Sequence, residues 1–346
     1  MNRALLIAVI LVMAGCTFNV KTPIVANYDN LDLIEKNTSR NDIAVFLGTP
    51  QGVGVYGQKD ALNELQFYYG FAGKFTLSGA DYDSGTAFIS YKENAPIDII
   101  YFNSKITGKE IPRNNNLNIK AIADSLQLGK SSIDDLIKVL GNSAYNGRRI
   151  NVPSNIFHSI AYWDASTLQP NGAIKEKWLL VGYDKNRIVQ DFIWISSNLE
   201  DIKEFGQVSE QQIKQMSRTY LAGFVPIMEA TGIDTGTKID PMQVNALIQT
   251  NPKNIKDIIN VLGKPSALGM KSFEGSESLS MSNWSFSKIK LEGDESNFVP
   301  ASATEQQRKE LAGTKFKVMS LEQSRLMIGH SADGEIKEIL WTHPIK

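Results

Sequence analysis

Three histidines, one cysteine and a scatter of serines and carboxylates are the stock from which this 346-residue chain could build a chemical site. A zinc centre needs three or four ligands on converging elements. His330 and His343 share a predicted hairpin but stand near its turn and beyond its far end, several residues apart at about 3.3 Å each. His158 has no acid or histidine at ligand spacing, so no metal site is expected. A nucleophile needs a base and a group that orients it, and no Gly-x-Ser-x-Gly elbow occurs. Gly129-Lys130-Ser131 ends like a phosphate loop, but Asp124 stands where that loop needs its first glycine, and no buried strand precedes it. It reads as a turn between helices. Asp134-Asp135 belongs to a helix start and Glu200-Asp201 opens a linker, so neither pair is placed for acid–base work. The expectation is no catalytic residue and no cofactor. A hydrolase would require a deep polar pocket between units, with Ser, Asp or His converging on it.

One chemistry remains, and it concerns the first sixteen residues. Arg3 precedes the apolar run Ala4 to Met13. Ten residues make about 15 Å of helix, half of a hydrocarbon core, which suits the apolar region of a signal peptide and not a membrane span. Met13-Ala14-Gly15-Cys16 follows and resembles the bacterial lipobox, with Met13 in place of the usual leucine. That resemblance implies lipidation of Cys16 with palmitate among the acyl chains, and Thr17 after it implies the outer membrane by enteric sorting rules. More than one acyl chain on one residue makes a stable anchor, because each buried methylene contributes about 0.8 kcal/mol. With Cys16 as the only cysteine, no intramolecular disulfide can form. Composition is ordinary for a folded chain, and the formal net charge of −1 gives nucleic acid no electrostatic grip. The expected partners are the membrane, through the lipid, and other envelope proteins, with periplasmic or surface exposure and the oligomeric state left open.

The positioning elements announce themselves by repetition. Thr86 to Phe102, Trp178 to Trp194 and Arg325 to Trp341 align over 17 residues without a gap. Each has an alternating apolar run, a small residue (Ser90, Gly182, Gly329), a ring (Tyr91, Tyr183, His330), a polar turn and a second apolar run, which is a hairpin pattern. His330 thus fills a structural slot. Upstream of each copy lies a short helix with Ser39, Ser132 or Asn254 as N-cap and Asp42, Asp135 or Asp257 three residues on as a capping-box acid. Each helix ends in Leu-Gly at Gly48, Gly141 and Gly263. A first helix is expected around Leu33, Leu126 and Ile248, and a further strand around Leu65 to Tyr69, Ile160 to Trp163 and Met281 to Phe286. The five tryptophans, Trp163, Trp178, Trp194, Trp284 and Trp341, all fall in expected strands. Apolar residues on both faces of the Trp178 hairpin imply that one face meets helices and the other meets a neighbouring unit or a partner.

Two short helices, the second ending in Leu-Gly-x-Pro in two copies, followed by three strands, resemble the outer-membrane lipoprotein domain called SmpA/OmlA or BamE. The same arrangement is found in β-lactamase inhibitor protein. The resemblance implies an α+β fold of three tandem two-layer units, each with two short helices and a three-stranded antiparallel sheet. The expected divisions are 1-15 signal peptide, 16-27 tether, 28-112 unit one, 113-199 unit two, 200-239 helical linker and 240-346 unit three. Helical stretches are expected from Ser209 to Tyr220 and after Thr304. Unit three carries an insertion at about 292-320, in which Phe298, Val299, Leu311 and Phe316 are candidate partner-binding side chains. The function expected is a non-enzymatic, lipid-anchored scaffold or assembly factor; the alternative, implied by the inhibitor resemblance, is a module that clasps an enzyme or glycan. Cys16→Ala should abolish labelling by radioactive palmitate, and unchanged labelling would refute the anchor.

Overall fold

Local capping chemistry sets the helices. The computed structural model describes residues 18–21, 31, 34, 38–76, 79–106, 122, 126–153, 156–168, 174–197, 233–236, 238–273, 275–296 and 315–345. Helices α1 (Arg40–Leu47), α2 (Ile133–Leu140), α3 (Pro241–Gln249) and α4 (Ile255–Leu262) are short and well capped. Ser39 with Asp42 and Asn254 with Asp257 form complete capping boxes. In α2, Ser132 caps Asp134, while Asp135 pairs instead with Lys138 and Asp134 with Arg187. Gly48, Gly141 and Gly263 end α1, α2 and α4 at φ of 79°, 76° and 78°, where a side chain would be strained.

The strands then fall into three sets of four. Unit one supplies β2 (Gly52–Gln58), β3 (Ala61–Thr76), β4 (Gly79–Lys92) and β5 (Ala95–Ile106), after a short β1 (Phe18–Lys21). Unit two supplies β6 (Tyr145–Asn151), β7 (Ile156–Asp164), β10 (Lys177–Tyr183) and β11 (Val189–Ser196), with a two-residue pair β8 (Thr167–Leu168) and β9 (Ile174–Lys175) between. Unit three supplies β13 (Ala267–Phe273), β14 (Leu279–Ser296), β15 (Lys315–His330) and β16 (Ile336–Pro344), and β12 (Ile233–Gly236) flanks β14. Neighbouring strands within each set pair antiparallel. The last strand of each set also pairs with the first of the next: β5 with β6, β11 with β13, and β16 with β2. The ring therefore closes into one twelve-stranded antiparallel barrel.

This overturns the expected α+β fold of three separate two-layer units, and with it the resemblance to BamE and to β-lactamase inhibitor protein. The physical reason lies at the edges. A three-stranded sheet would leave unpaired N–H and C=O groups along two edges. Here a fourth strand follows each Leu-Gly turn, and both edges of every set are hydrogen-bonded to the neighbouring sets. Phe18–Lys21, expected in a tether, lies in the sheet, antiparallel to β3 and parallel to β15.

The outside of the barrel carries the helices. Ile43 and Leu47 of α1 pack on Tyr68, Ala87, Ile89, Tyr91 and Ile99; Ile133, Leu136 and Leu140 of α2 pack on Trp163, Leu179, Val181 and Phe192. Val244 of α3 and Ile255 and Ile258 of α4 pack on Trp284, Leu326, Ile328 and Trp341. Each such buried side chain contributes about 1.5–3 kcal/mol. Each cluster also borrows from the next set, with Ile150 and Val152, Met270, and Val55 respectively. Trp163 Nε1 and Trp284 Nε1 donate to the carbonyls of Gly141 and Gly263, tying each helix end to its sheet. A fourth cluster, Trp178, Ile195, Ala267, Met281 and Met327, fills part of the interior. Among the tryptophans it holds only Trp178.

The three joints share one device. Gly54, Gly147 and Gly269 lie at the same place on β2, β6 and β13. A Cβ there would sit 1.7 Å from the Trp341 carbonyl oxygen, 1.9 Å from that of Tyr101 and 1.8 Å from that of Trp194. No side-chain rearrangement relieves a clash with backbone oxygen, so the strands would have to part. Substituting any one of the three by alanine should cost about 2 kcal/mol or more and shift a single denaturation transition for the whole barrel; a variant as stable as the parent would refute this role.

Candidate functional site

The inner face of a twelve-stranded ring is too wide to be filled by small aliphatics, and this chain lines it with long polar side chains. Paired registers place an acid at one level in each set: Asp98 opposite Ser90, Asp191 opposite Gly182, and Glu338 opposite Gly329. The small residue of the hairpin repeat thus makes room for a carboxylate. A Cβ on Gly182 would lie 2.4 Å from Asp191 Oδ1. The first strand of the following set presents Arg149, Lys271 or Tyr56 at the matching level.

The pairing within this belt is uneven. Arg149 donates Nε and Nη2 to Asp98 at 3.1 and 2.9 Å. Lys271 reaches across the interior to both carboxylate oxygens of Glu338, and its ammonium lies 4.6 Å from the centre of the Phe273 ring. Burial opposes the charge on Lys271 and on Arg149, but the neighbouring Tyr56 oxygen and the facing carboxylates together override it and raise both. Burial also raises the Tyr56 hydroxyl. Asp191 makes no ion pair among the described residues. Burial pushes its carboxyl above the ordinary range, against the weaker pull of Arg149, His158 and Lys271. Two cations thus balance two anions, and the third acid is the odd one.

Farther from these hairpin turns, rings form a ladder. Phe102 stacks on Tyr162 at 5.2 Å, Tyr145 meets both edge-on, and Tyr162 meets Trp178 at 5.9 Å. Beside it opens a cleft of about 140 Å³ between sets two and three, lined by Tyr162, Asp164, Glu176, Trp178, Ser285 and Arg325, among others. Glu176 Oε1 accepts from Ser285 Oγ at 2.5 Å and from Arg325 Nη2 at 3.3 Å, and Oε2 accepts from Asn283 Nδ2 at 2.8 Å. A carboxylate so fully engaged is a poor base for Ser285, and no histidine lines the cleft. In contrast, Trp178 Nε1 and Arg325 Nε are buried donors with no partner among the described residues.

The histidines are held by other work. His330 Nδ1–H donates to the Ser331 carbonyl, which leaves Nε2 to accept from Ser282 Oγ at 3.2 Å. His343 Nδ1–H donates to the Pro344 carbonyl, and His158 Nδ1 is buried near Asp191. Among the described residues no three of His, Cys, Asp and Glu converge as a metal site requires. Of the candidate partner-binding residues, Phe298, Val299 and Leu311 lie outside the described residues, as do Cys16, the stretch from Ser209 to Tyr220 and the one after Thr304. Phe316 lies in β15, opposite Glu295 of β14. The structure adds an outer feature instead. The residue before the Leu of each Leu-Gly, Phe46, Val139 or Val261, is 38%, 77% or 44% exposed.

The belt and the joint glycines were missed from sequence, although a signal existed. Each joint glycine stands six residues after its Leu-Gly glycine. Asp98 stays out of line with Asp191 and Glu338 in a gapless alignment, because the hairpin of set one is a residue shorter, as the pairings Tyr91↔Pro96 and Tyr183↔Val189 show.

No protein-family model, no curated protein and no solved structure matches this chain.

Glu338→Gln should cost about 3–5 kcal/mol, since it leaves the Lys271 ammonium buried without its counter-charge, and replacing both by apolar residues should recover most of that. Asp191→Asn should do the opposite. A carboxyl raised by burial binds its proton more tightly in the folded chain, so stability is lost as pH rises from the ordinary value of 3.8 through the folded pKa. At pH 7 the Asn variant should match or exceed the parent, with the advantage gone below about pH 4. Urea titrations at both pH values decide it, and a large loss for Asp191→Asn at pH 7 would contradict the assignment.

Proposed function

We propose that this protein is a lipid-anchored envelope lipoprotein of the outer membrane that works without catalysis, as a scaffold on which other envelope proteins dock. The observation that supports docking is the repetition of an exposed apolar side chain at one helical position in all three sets: Phe46, Val139 and Val261. Single exposed apolar residues need no explanation. Three at equivalent positions, on helices that bury Ile43 and Leu47, Leu136 and Leu140, and Ile255 and Ile258 against the barrel, form a pattern that a protein partner can read. Val45 and Met242, 81% and 77% exposed, enlarge the apolar surface on α1 and α3.

Anchoring rests on the Met-Ala-Gly-Cys motif, and the sheet gives it a mechanical sense. β1 begins two residues after Cys16 and is paired on both sides. A lipid on Cys16 would therefore be fastened to the barrel within about 7 Å of chain, so the barrel would be held close to the bilayer. A photo-crosslinking residue placed at Val139 or Val261 in cells should capture one recurring membrane-envelope partner. The same residue at Lys185, in the β10–β11 turn, should not, and Asp at the two apolar positions that the crosslinker leaves free should abolish capture while leaving the unfolding midpoint unchanged. Equal capture at Lys185, or capture unaffected by the double substitution, would overturn the scaffold reading.

A further inference from the structure

The two ends of the barrel differ, and we infer, resting on the lipoprotein reading of Cys16, that the taller end meets the lipid bilayer with its rim inserted among the acyl chains. The turns β4–β5, β10–β11 and β15–β16 lie together at one end. At the other end the strands stop at different heights. β7 and β10 pair no farther than Asp164 with Trp178, and β11 and β13 no farther than Ser196 with Leu268. β3, in contrast, continues past Phe67, its last partner in β2, to Thr76, and β14 continues past Asn283, its last in β13, to Ser296. At about 3.3 Å per residue the overhang of β3 alone is about 30 Å of strand. β1 lies between β3 and β15, so that β14, β15, β1, β3, β4 and β5 form one continuous wall beyond sets one and three.

Where the chain enters this wall is the first sign of its partner. Phe18 is opposite Phe75, next to the end of β3, and Lys21 is opposite Ala72. β1 therefore enters at the rim and runs down toward the ring. Cys16 lies within about 7 Å of that rim, and acyl chains on it leave the barrel at this end.

The second sign is independent of the anchor and comes from the register. Ser287 and Gln323 line the cleft, and Phe67 and Phe88 meet inside the ring with centroids 5.1 Å apart. Alternation carries the same inner face up the wall through Phe71 and Phe75 of β3, Ile289 and Leu291 of β14, and Met319 and Leu321 of β15. In the ring below, that face holds Asp98, Glu176, Asp191, Arg325 and Glu338. It turns apolar where the ring ceases to be closed. Among the described residues, set two has only β8 and β9 between β7 and β10, so no long strand faces the wall. An apolar sheet face without a facing layer is either covered or used for binding, and a bilayer reached through Cys16 covers it. Lys74, Lys288 and Lys290 occupy the alternate positions, which is the mixture of a segment at a lipid–water boundary. Entry by about 5–10 Å takes in the rim and leaves the ring and its helices outside.

The experiment uses the whole chain, extracted from membranes and returned to vesicles of phosphatidylethanolamine and phosphatidylglycerol. A phosphatidylcholine with a photoactivatable diazirine in its acyl chain is the probe. After irradiation, peptide mass analysis should find lipid adducts within 71–76, 289–296 and 315–319 and none at the turns 93–94, 184–187 and 331–335. Phe75→Asp with Leu291→Asp should lower the rim yield by about tenfold or more, with the protein still on the vesicles and its unfolding midpoint unchanged. If that variant does not fold, the adduct map of the parent decides. Adducts at the turns, or adducts confined to the residues before Phe18, overturn the inference. The same digest counts the acyl chains on Cys16. An acylated chain without rim adducts overturns the rim and spares the anchor; rim adducts on a chain without acyl groups support the rim and refute the anchor.

Discussion

Backbone hydrogen bonding across the three joints is the constraint on which the rest of the molecule depends. Each four-stranded set has two edges, and an edge strand left open is an invitation to wrong pairing. Closing the ring satisfies all six edges at once, but it requires β2, β6 and β13 to lie flat against the preceding set, so that the carbonyls of Trp341, Tyr101 and Trp194 occupy the space where a side chain would begin. Glycine at 54, 147 and 269 is what permits that approach. The outer clusters then follow, because a helix seated on one set also rests on the first strand of the next.

Closure also decides what the interior must be. A ring of twelve lies between small barrels that side chains fill and wide ones that hold a channel. This chain fills one end with paired charges and a ladder of rings, and leaves a cleft beside the ladder. The belt brings stability only through pairing: Arg149 with Asp98 and Lys271 with Glu338 are each satisfied, while Asp191, with no ion pair among the described residues, has its carboxyl pushed up by burial. The helical exterior and the polar interior are thus independent surfaces carried by one frame.

Much of the local structure was legible in the residues. Ser39 and Asn254 with their paired acids, the glycines after Leu47, Leu140 and Leu262, and the hairpins around Trp178 and Trp341 follow from capping and alternation. The global fold was not. The fourth strands, read as Gly-Val-Gly-Val-Tyr-Gly-Gln, Tyr-Asn-Gly-Arg-Arg-Ile-Asn and Ala-Leu-Gly-Met-Lys-Ser-Phe, carry small and charged residues where a strand pattern expects apolar ones. Those residues serve the joint and the interior, which are formed by chain more than 40 residues away. The same helix–helix–strand–hairpin order suits a free-standing sheet or a third of a ring, and only the fate of its edges tells them apart. The cleft was equally hidden, since Glu176 and Asn283 meet across 107 residues of sequence.

The central claim is closure, and the joint between β16 and β2 tests it most directly because it unites the two ends of the chain. Val53 and His343 are directly opposed across it. Replacing both by cysteine, with Cys16→Ala to remove the native thiol, should give on mild oxidation an intramolecular disulfide in monomeric, folded protein, since opposed residues in such a pair lie about 4.5–5.5 Å apart. Peptide mass analysis should find the two segments linked in near-full yield. Folded protein whose two thiols remain free and are alkylated separately would contradict the closed barrel.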